Sequence, residues 1–165
     1  MKDFTAANLE VLHGAHSVSR ALESRKPEGS PPLEISETPS GLPTARVRGR
    51  YLHSRYDPRK EAQRILAAEA GEAPSAAVVL GFGLGYLAEA FSRRYPNAPM
   101  IVVEADPALF FQALGARDLR ALLARPGITW CVDREPEAVL MEIEMLPLRR
   151  LSVLRLPGGV EPGRD

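Results

Sequence analysis

The sequence is poor in aromatic side chains and in cysteine, and it carries no net charge. Aromatic residues make up 6% of the 165 residues, and Cys131 is the single cysteine. One cysteine excludes an internal disulfide framework and a cysteine-based zinc site, and it suits a reducing compartment. Because 21 Lys and Arg residues balance 21 Asp and Glu residues, the chain lacks the positive field that drives non-specific nucleic-acid binding. We therefore expect no nucleic-acid partner.

Long apolar runs are also missing. No run approaches the roughly 18 residues of a membrane span, and the N-terminus lacks the apolar stretch of a signal peptide. Hydrophobic residues are 45% and charged residues 25% of the chain, which is ordinary globular usage and excludes wholesale disorder. These properties predict a soluble, cytoplasmic protein with one principal core.

The N-terminal third contains the best internal boundary, the Gly- and Pro-rich segment 26–43. Before it, apolar residues at roughly helical spacing predict a helix over 4–13 that continues to about Glu23. The runs LEIS (33–36) and ARVRGRYL (45–52) flank the turn-rich TPSGLP, which predicts a two-stranded hairpin.

From Tyr56 onward, helical stretches alternate with short apolar runs. Asp57 followed by Pro58 is typical of a helix start, because the carboxylate accepts backbone N–H groups and proline tolerates the first helical position. Parallel neighbouring strands require crossover connections, so this alternation predicts an α/β fold with a parallel sheet. We expect four or more strands, ordered 3-2-1-4 with right-handed crossovers. Continuously apolar strands indicate that both sheet faces are covered. The predicted strands are 76–80, 100–107, 128–133 and 151–157, with helices from Pro58 to Gly71 and over 86–96, 108–126 and 135–146.

The run GFGLG (81–85) follows the first of these strands and precedes a helix. Glycine there supplies positive φ and lets the backbone approach a ligand, and the helix N-terminus offers unsatisfied N–H groups. A carboxylate at the end of the next strand is suited to accept ribose hydroxyl hydrogens. The alternative is a tight strand-to-helix turn beside a solvated strand end. The candidate cofactor-binding residues are Gly81, Phe82, Gly83, Gly85, Tyr86, Glu104, Asp106 and Asp133.

The spacing of these glycines resembles the first motif of the class I S-adenosylmethionine-dependent methyltransferases and spermidine synthases. VVEADP (102–107) is similar to the acidic second motif of those enzymes. Two features depart from the pattern: Val79 stands where an acidic residue is expected, and LSVLRLP (151–157) lacks the acceptor-side Asp or Asn. The ligand is left open between S-adenosylmethionine and a nucleotide.

Most of the chain resembles the N-terminal region of the motility accessory factor (Maf) family of flagellin glycosyltransferase-like proteins. The residues that carry the resemblance are SGLP (40–43), YLHSRYDPRKEA (51–62), VVLGFGLGYLAEA (78–90) and IVVEADPALF (101–110). The resemblance implies a Rossmann-like N-terminal domain, here residues 55–165, preceded by a helix and hairpin subdomain at 1–54. It also implies that a larger central domain, similar to 6-hydroxymethylpterin pyrophosphokinase, follows and transfers a nonulosonic acid to Ser or Thr of flagellin.

This resemblance predicts an accessory domain that positions its transferase domain, its acceptor or its oligomer. We carry over no catalytic residue, and the fragment is not expected to be catalytic alone. The expected partners are the C-terminal transferase domain of the parent chain, flagellin and further copies of the chain. The alternatives are a methyltransferase-like domain that binds S-adenosylmethionine or a nucleotide, and a purely structural dimerisation unit.

A basic segment precedes the glycine loop. Seven Lys and Arg residues between 46 and 64 face only Asp57 and Glu61, a local net charge of +5. This segment suits a partner domain, an acidic surface or a phosphate-bearing donor, or it is a solvated hairpin edge. We expect His53 to satisfy nearby backbone groups rather than to act in acid–base chemistry. His13 and His16 lack a third ligand, so no metal site is predicted.

Overall fold

The computed structural model describes residues 1–13 and 31–158. The predicted continuation of the first helix to Glu23 and His16 lie outside the described residues. Helix α1 spans Thr5–Leu12, close to the predicted helix. Its buried Asn8 side chain donates to the carbonyls of Leu114 (2.7 Å) and Arg117 (2.8 Å) and accepts from the N–H of Leu119 (3.0 Å).

The predicted hairpin is a three-stranded antiparallel sheet, ordered β1-β2-β3. Strand β1 is Glu34–Glu37, β2 is Pro43–Val47 and β3 is Arg50–Tyr51. The prediction of a single second strand over 45–52 is wrong, because Arg48 and Gly49 adopt φ values of 48° and 78°. Two consecutive positive φ values are typical of the tight turns that join hairpin strands.

The second sheet is parallel, and its strands are β4 Ala76–Leu80, β5 Met100–Glu104, β6 Ile128–Val132 and β7 Leu151–Arg155. They lie side by side in the order β6-β5-β4-β7, which confirms the predicted order 3-2-1-4. The helices are α2 Pro58–Glu69, α3 Tyr86–Arg94, α4 Pro107–Ala116, α5 Arg120–Leu123 and α6 Pro136–Glu144, with a 3-10 turn at Leu148–Arg150. The Asp57 carboxylate accepts the N–H of Lys60 (3.0 Å), and helix α2 begins where predicted.

The predicted helix over 108–126 is two helices. Arg117 is extended (φ −153°, ψ 161°) and separates α4 from α5. The side chain of Asn8 binds the carbonyls exposed at this break, so the break is stabilised by a residue from the far end of the chain.

The two faces of the parallel sheet are covered unequally. Alternate strand residues such as Val79 and Val102 belong to the main apolar core, which also contains Leu12 and Val47 of the N-terminal elements. The opposite face packs a smaller cluster, including Ile101, against helix α6. The prediction that both faces are covered holds for β4, which is buried along most of its length, and is wrong for β7, where Val153 and Arg155 are exposed.

Candidate functional site

The glycine loop lies at the carboxyl end of β4, as predicted. Gly81, Gly83 and Gly85 all adopt positive φ (86°, 53° and 81°), and Gly85 is the N-cap of α3. The N–H of Gly81 donates to the carbonyl of Val103 (2.9 Å), which ties the loop to the neighbouring strand. The loop therefore has the backbone shape that the sequence predicted.

The space over the centre of this loop is filled by the protein itself. A Cβ atom on Gly83 would lie 2.5 Å from Nε2 of His53 and 2.7 Å from Cδ2 of Leu156. His53 is buried, and its Nε2 accepts the N–H of Leu84 at 2.8 Å. The prediction that His53 satisfies nearby backbone groups is confirmed. The N–H of Leu84, one of the donors that a ligand at this helix start would use, already has a partner.

The two aromatic members of the predicted set point into the protein. Phe82 is buried, with its ring centre 5.0 Å from that of Phe110 and 5.6 Å from that of Trp130. Tyr86 is also buried, and its hydroxyl donates to the carbonyl of Pro43 at 2.7 Å. Burial raises the pKa of Tyr86 to about 12. Both rings pack on the core side of the loop, and the Tyr86 hydroxyl connects the loop to strand β2.

Glu104 lies at the end of β5, where its two oxygens hold two backbone segments. Oε2 accepts the N–H of Phe82 and Oε1 that of Asp106, both at 3.0 Å. The carboxyl is half-buried, and this burial raises its pKa, although the two N–H groups act in the opposite direction. The alternative expectation of a solvated strand end is wrong for this residue. Each oxygen keeps a further lone pair with which it can accept a ligand hydroxyl.

The other two predicted carboxylates have different surroundings. Asp106 is the N-cap of α4 and accepts the N–H groups of Ala108 (2.9 Å) and Leu109 (3.3 Å). Asp133 is exposed, has a positive φ of 51°, and donates its own N–H to the carbonyl of Glu104 at 2.9 Å. The rim thus brings the glycine loop, Glu104, Asp106 and Asp133 together, and the carboxylates of Glu104 and Asp106 both accept backbone N–H groups.

Arg117 belongs to this region and carried no recognisable sequence signal. It is buried; Nη1 donates to the carbonyl of Leu84 (3.0 Å) and Nη2 to Glu89 (2.9 Å). Its guanidinium carbon lies 3.9 Å from the centre of the Tyr86 ring. His53 meets the same ring edge-on, with centroids 5.1 Å apart. The loop is consequently held by the contacts of Arg117 and His53 with the ring of Tyr86.

The basic segment does not form one uniform patch. Arg46 is paired with Glu34, and Lys60 lies 3.9 Å from Asp57. Arg55 instead lies against two tyrosine rings, as described below. Within residues 1–13 and 31–158, no three His, Cys, Asp or Glu side chains are grouped as metal ligands would be. Burial raises the pKa of the Cys131 thiol, which keeps it protonated at neutral pH.

The buried imidazole of His53 predicts that the folded protein loses stability in acid. Burial, assisted by the charge of Arg117, lowers the pKa of His53 to about 3, whereas an unfolded histidine has a pKa of about 6.5. Between these values the unfolded chain binds a proton that the native chain does not, so stability falls as the pH falls. We expect the titration of His53 to lower the free energy of unfolding by about 2 kcal/mol between pH 7 and pH 5. Urea unfolding of the natural chain and of His53→Gln at both pH values measures the difference.

The amide of the His53→Gln variant offers an acceptor to Leu84 but does not titrate, so the variant should lose less stability on acidification. The raised pKa of Glu104 has the opposite effect on stability. The native carboxyl takes up a proton more readily than the unfolded one, so this residue favours the folded state as the pH falls. An equal loss in the two proteins would contradict the assignment of the acid sensitivity to His53.

Comparison with known proteins found two relatives in sequence, and no family model matches the chain. An uncharacterized protein of Treponema pallidum (strain Nichols) is 35% identical over 96 residues, which are 56% of this chain and 33% of that protein. A trans-aconitate 2-methyltransferase of Methylobacterium radiotolerans is 30% identical over 118 residues, 66% of this chain and 45% of that protein. The chain thus spans less than half the length of either relative.

Among solved structures, the Maf glycosyltransferase from Magnetospirillum magneticum AMB-1 is similar over 96% of this chain and 32% of its own, with a TM-score of 0.67 and 15% identity. At this identity the likeness concerns the fold, and it confirms the predicted Rossmann-like α/β class. In the described part of the chain, no helix has the length and apolar character that a bilayer crossing requires.

Proposed function

We propose that this chain is a Rossmann-like accessory domain of a Maf-type glycosyltransferase, which positions a larger transferase region that acts on flagellin. The observation that carries the proposal is the crowding at Gly83, where His53 and Leu156 leave no room even for a Cβ atom. A loop filled in this way serves as a rigid junction between the N-terminal hairpin and the parallel sheet. Its role is then architectural, and the transferase centre belongs to another part of the parent protein.

The end of helix α6 and the turn after it supply an apolar surface for such a partner. Val139 of the helix packs against the sheet, whereas Met141 in the helix, Met145 at its C-cap and Leu148 in the 3-10 turn are 68%, 84% and 52% exposed. Exposed apolar patches mark interaction sites. We assign this patch, Met141, Met145 and Leu148, to contact with the transferase region.

Sequencing the gene beyond the codon for Asp165 tests the proposal. We expect a downstream region that encodes a transferase-like domain, and that domain should co-purify with residues 1–165 when the two are expressed as separate polypeptides. The double variant M141Q/M145Q should weaken co-purification, whereas Glu137→Gln on the same helix should not. A stop codon directly after Asp165 would overturn the proposal. If M141Q/M145Q co-purifies as well as the natural chain, the apolar patch does not contact the transferase region.

A second candidate function is favoured by the geometry of Glu104 and by the similarity to a methyltransferase. The carboxylate lies beside the glycine loop with acceptor capacity left for a ribose. Binding of S-adenosylmethionine would require His53 and Leu156 to withdraw from Gly83. Calorimetry with S-adenosylmethionine, S-adenosylhomocysteine and nucleotide sugars distinguishes the two functions. Heat that is lost in Glu104→Ala supports the second candidate, and no heat with any of these ligands excludes it.

A further inference from the structure

A cleft of about 510 Å³ opens beside strand β3, separate from the space over Gly83. Segment 50–56 forms much of its wall, together with Glu61, Pro157 and Gly158. His53 contributes to both places, but its Nε2 is directed to the loop. The remaining cleft residues include two arginines and two tyrosines, which is an unusual concentration in a chain with 6% aromatic residues.

Arg55 is held in this cleft by aromatic contacts. Its guanidinium carbon lies 5.6 Å from the ring centre of Tyr51 and 5.8 Å from that of Tyr56. Both distances lie within the range of cation–π attraction. Neither Arg50 nor Arg55 forms an ion pair within residues 1–13 and 31–158. Tyr56 is 66% exposed, so its ring is available for contact.

The charge balance of the cleft favours an anion. Glu61 also lines it, but its Oε2 accepts the N–H of Ser54 at 2.7 Å, so part of that carboxylate's bonding capacity is already used. Two arginines against one carboxylate leave the cleft positive. A guanidinium in contact with aromatic rings keeps its five N–H donors, and these match the oxygens of phosphate and carboxylate.

We propose that this cleft binds a ligand in which a phosphate is joined to a ring, of the nucleoside monophosphate class. Arg55 and Arg50 bind the phosphate, and the exposed face of Tyr56 stacks on the base or sugar. No glycine of the loop lines this cleft, although His53 contributes to both places, and the proposal does not depend on the accessory role proposed above. It also gives a role to Arg55, which lies near two tyrosine rings and forms no ion pair within the described residues, whereas Arg46, which is also 5.8 Å from the centre of the Tyr51 ring, pairs with Glu34.

Calorimetry of the 165-residue chain with adenosine 5′-monophosphate at low salt tests the proposal. Binding should weaken about tenfold or more in Arg55→Gln, because a charged hydrogen-bonding group is lost, and severalfold in Tyr56→Ala, because the stacking surface is lost. Arg64→Gln, which removes another exposed charge from helix α2 outside the cleft, should leave the affinity unchanged. Circular dichroism and thermal unfolding establish that the variants are folded.

Further probes separate the two parts of the ligand. Inorganic phosphate and adenosine should each bind more weakly than adenosine 5′-monophosphate, and glucuronic acid tests a carboxylate in place of the phosphate. Phosphate that binds as tightly as the nucleotide would overturn the role of Tyr56. No heat with the nucleotide, or equal losses in Arg55→Gln and Arg64→Gln, would overturn the site.

Discussion

Replacing Gly83 with alanine is expected to lower the free energy of unfolding by about 3–5 kcal/mol. The backbone at Gly83 is left-handed (φ 53°), a conformation that any Cβ disfavours. The new methyl group would also overpack against Leu156. It would displace the imidazole that accepts the N–H of Leu84, which leaves that donor without its partner. The new methyl carbon would lie 2.5 Å from that imidazole nitrogen, a distance that non-bonded atoms do not tolerate. Urea unfolding at pH 7, followed by circular dichroism, measures the loss.

Gly41→Ala is the matched control. Gly41 also has a left-handed backbone (φ 75°), but a Cβ there would meet nothing within 4 Å. The control therefore contains only the backbone cost of about 1–2 kcal/mol. If the two variants lose equal stability, His53 and Leu156 withdraw from the loop at little cost, and the loop is open to a ligand. That outcome would favour the S-adenosylmethionine-binding alternative over the architectural role.

The alternation of helices and strands could be predicted because it depends on local signals. The Asp57–Pro58 pair begins a helix through bonds within one turn, and short apolar runs separated by helices leave few parallel arrangements. The turn at Arg48 and Gly49 was missed for a local reason too. Arginine is not among the residues that favour positive φ, so the sequence carried little indication of a turn there.

The helix break at Arg117 could not be predicted, since it depends on Asn8, more than a hundred residues away in sequence. Deleting this contact would leave the carbonyls at the end of α4 without their donors. No window of residues around 108–126 contains that information. Long-range polar contacts of this kind have no periodicity that a sequence pattern can display.

The same limit applies to the candidate site. GFGLG and Glu104 were located correctly at the sheet rim, because a strand end and a helix start are local features. The residues that fill the loop come from other parts of the chain: His53 lies 31 positions before Leu84, and Leu156 directly follows strand β7. Their presence changes the chemistry that the loop offers, from a row of unsatisfied N–H groups to a set of bonds made within the protein.

These contacts join the N-terminal hairpin to the parallel sheet. His53 follows β3, the Tyr86 hydroxyl reaches the carbonyl of Pro43 at the start of β2, and Glu61 of α2 binds the N–H of Ser54. Each bond links the hairpin segment with an element of the sheet domain. The segment therefore has a defined position on the rim, which is the condition for a cleft beside β3 to hold a ligand.

Replacing Arg117 with alanine is expected to cost about 3–5 kcal/mol of unfolding free energy. The substitution takes from Glu89, whose side chain is 18% exposed, its buried partner, and leaves only the exposed Arg93 at 3.4 Å. The substitution also removes the donor to the Leu84 carbonyl and the cation on the Tyr86 ring. Urea unfolding at pH 7 gives the free energy.

The matched control for this substitution uses the same carboxylate. Arg93 also pairs with Glu89, at 3.4 Å, but its side chain is 61% exposed. Exposed pairs contribute about 0–1 kcal/mol, so Arg93→Ala should change stability little. Equal losses in Arg117→Ala and Arg93→Ala would mean that solvent reaches the pair and that burial does not strengthen it. If Arg117→Ala loses much more stability than Arg93→Ala, the contacts of Arg117 and His53 with Tyr86 are among the main interactions that keep the glycine loop filled.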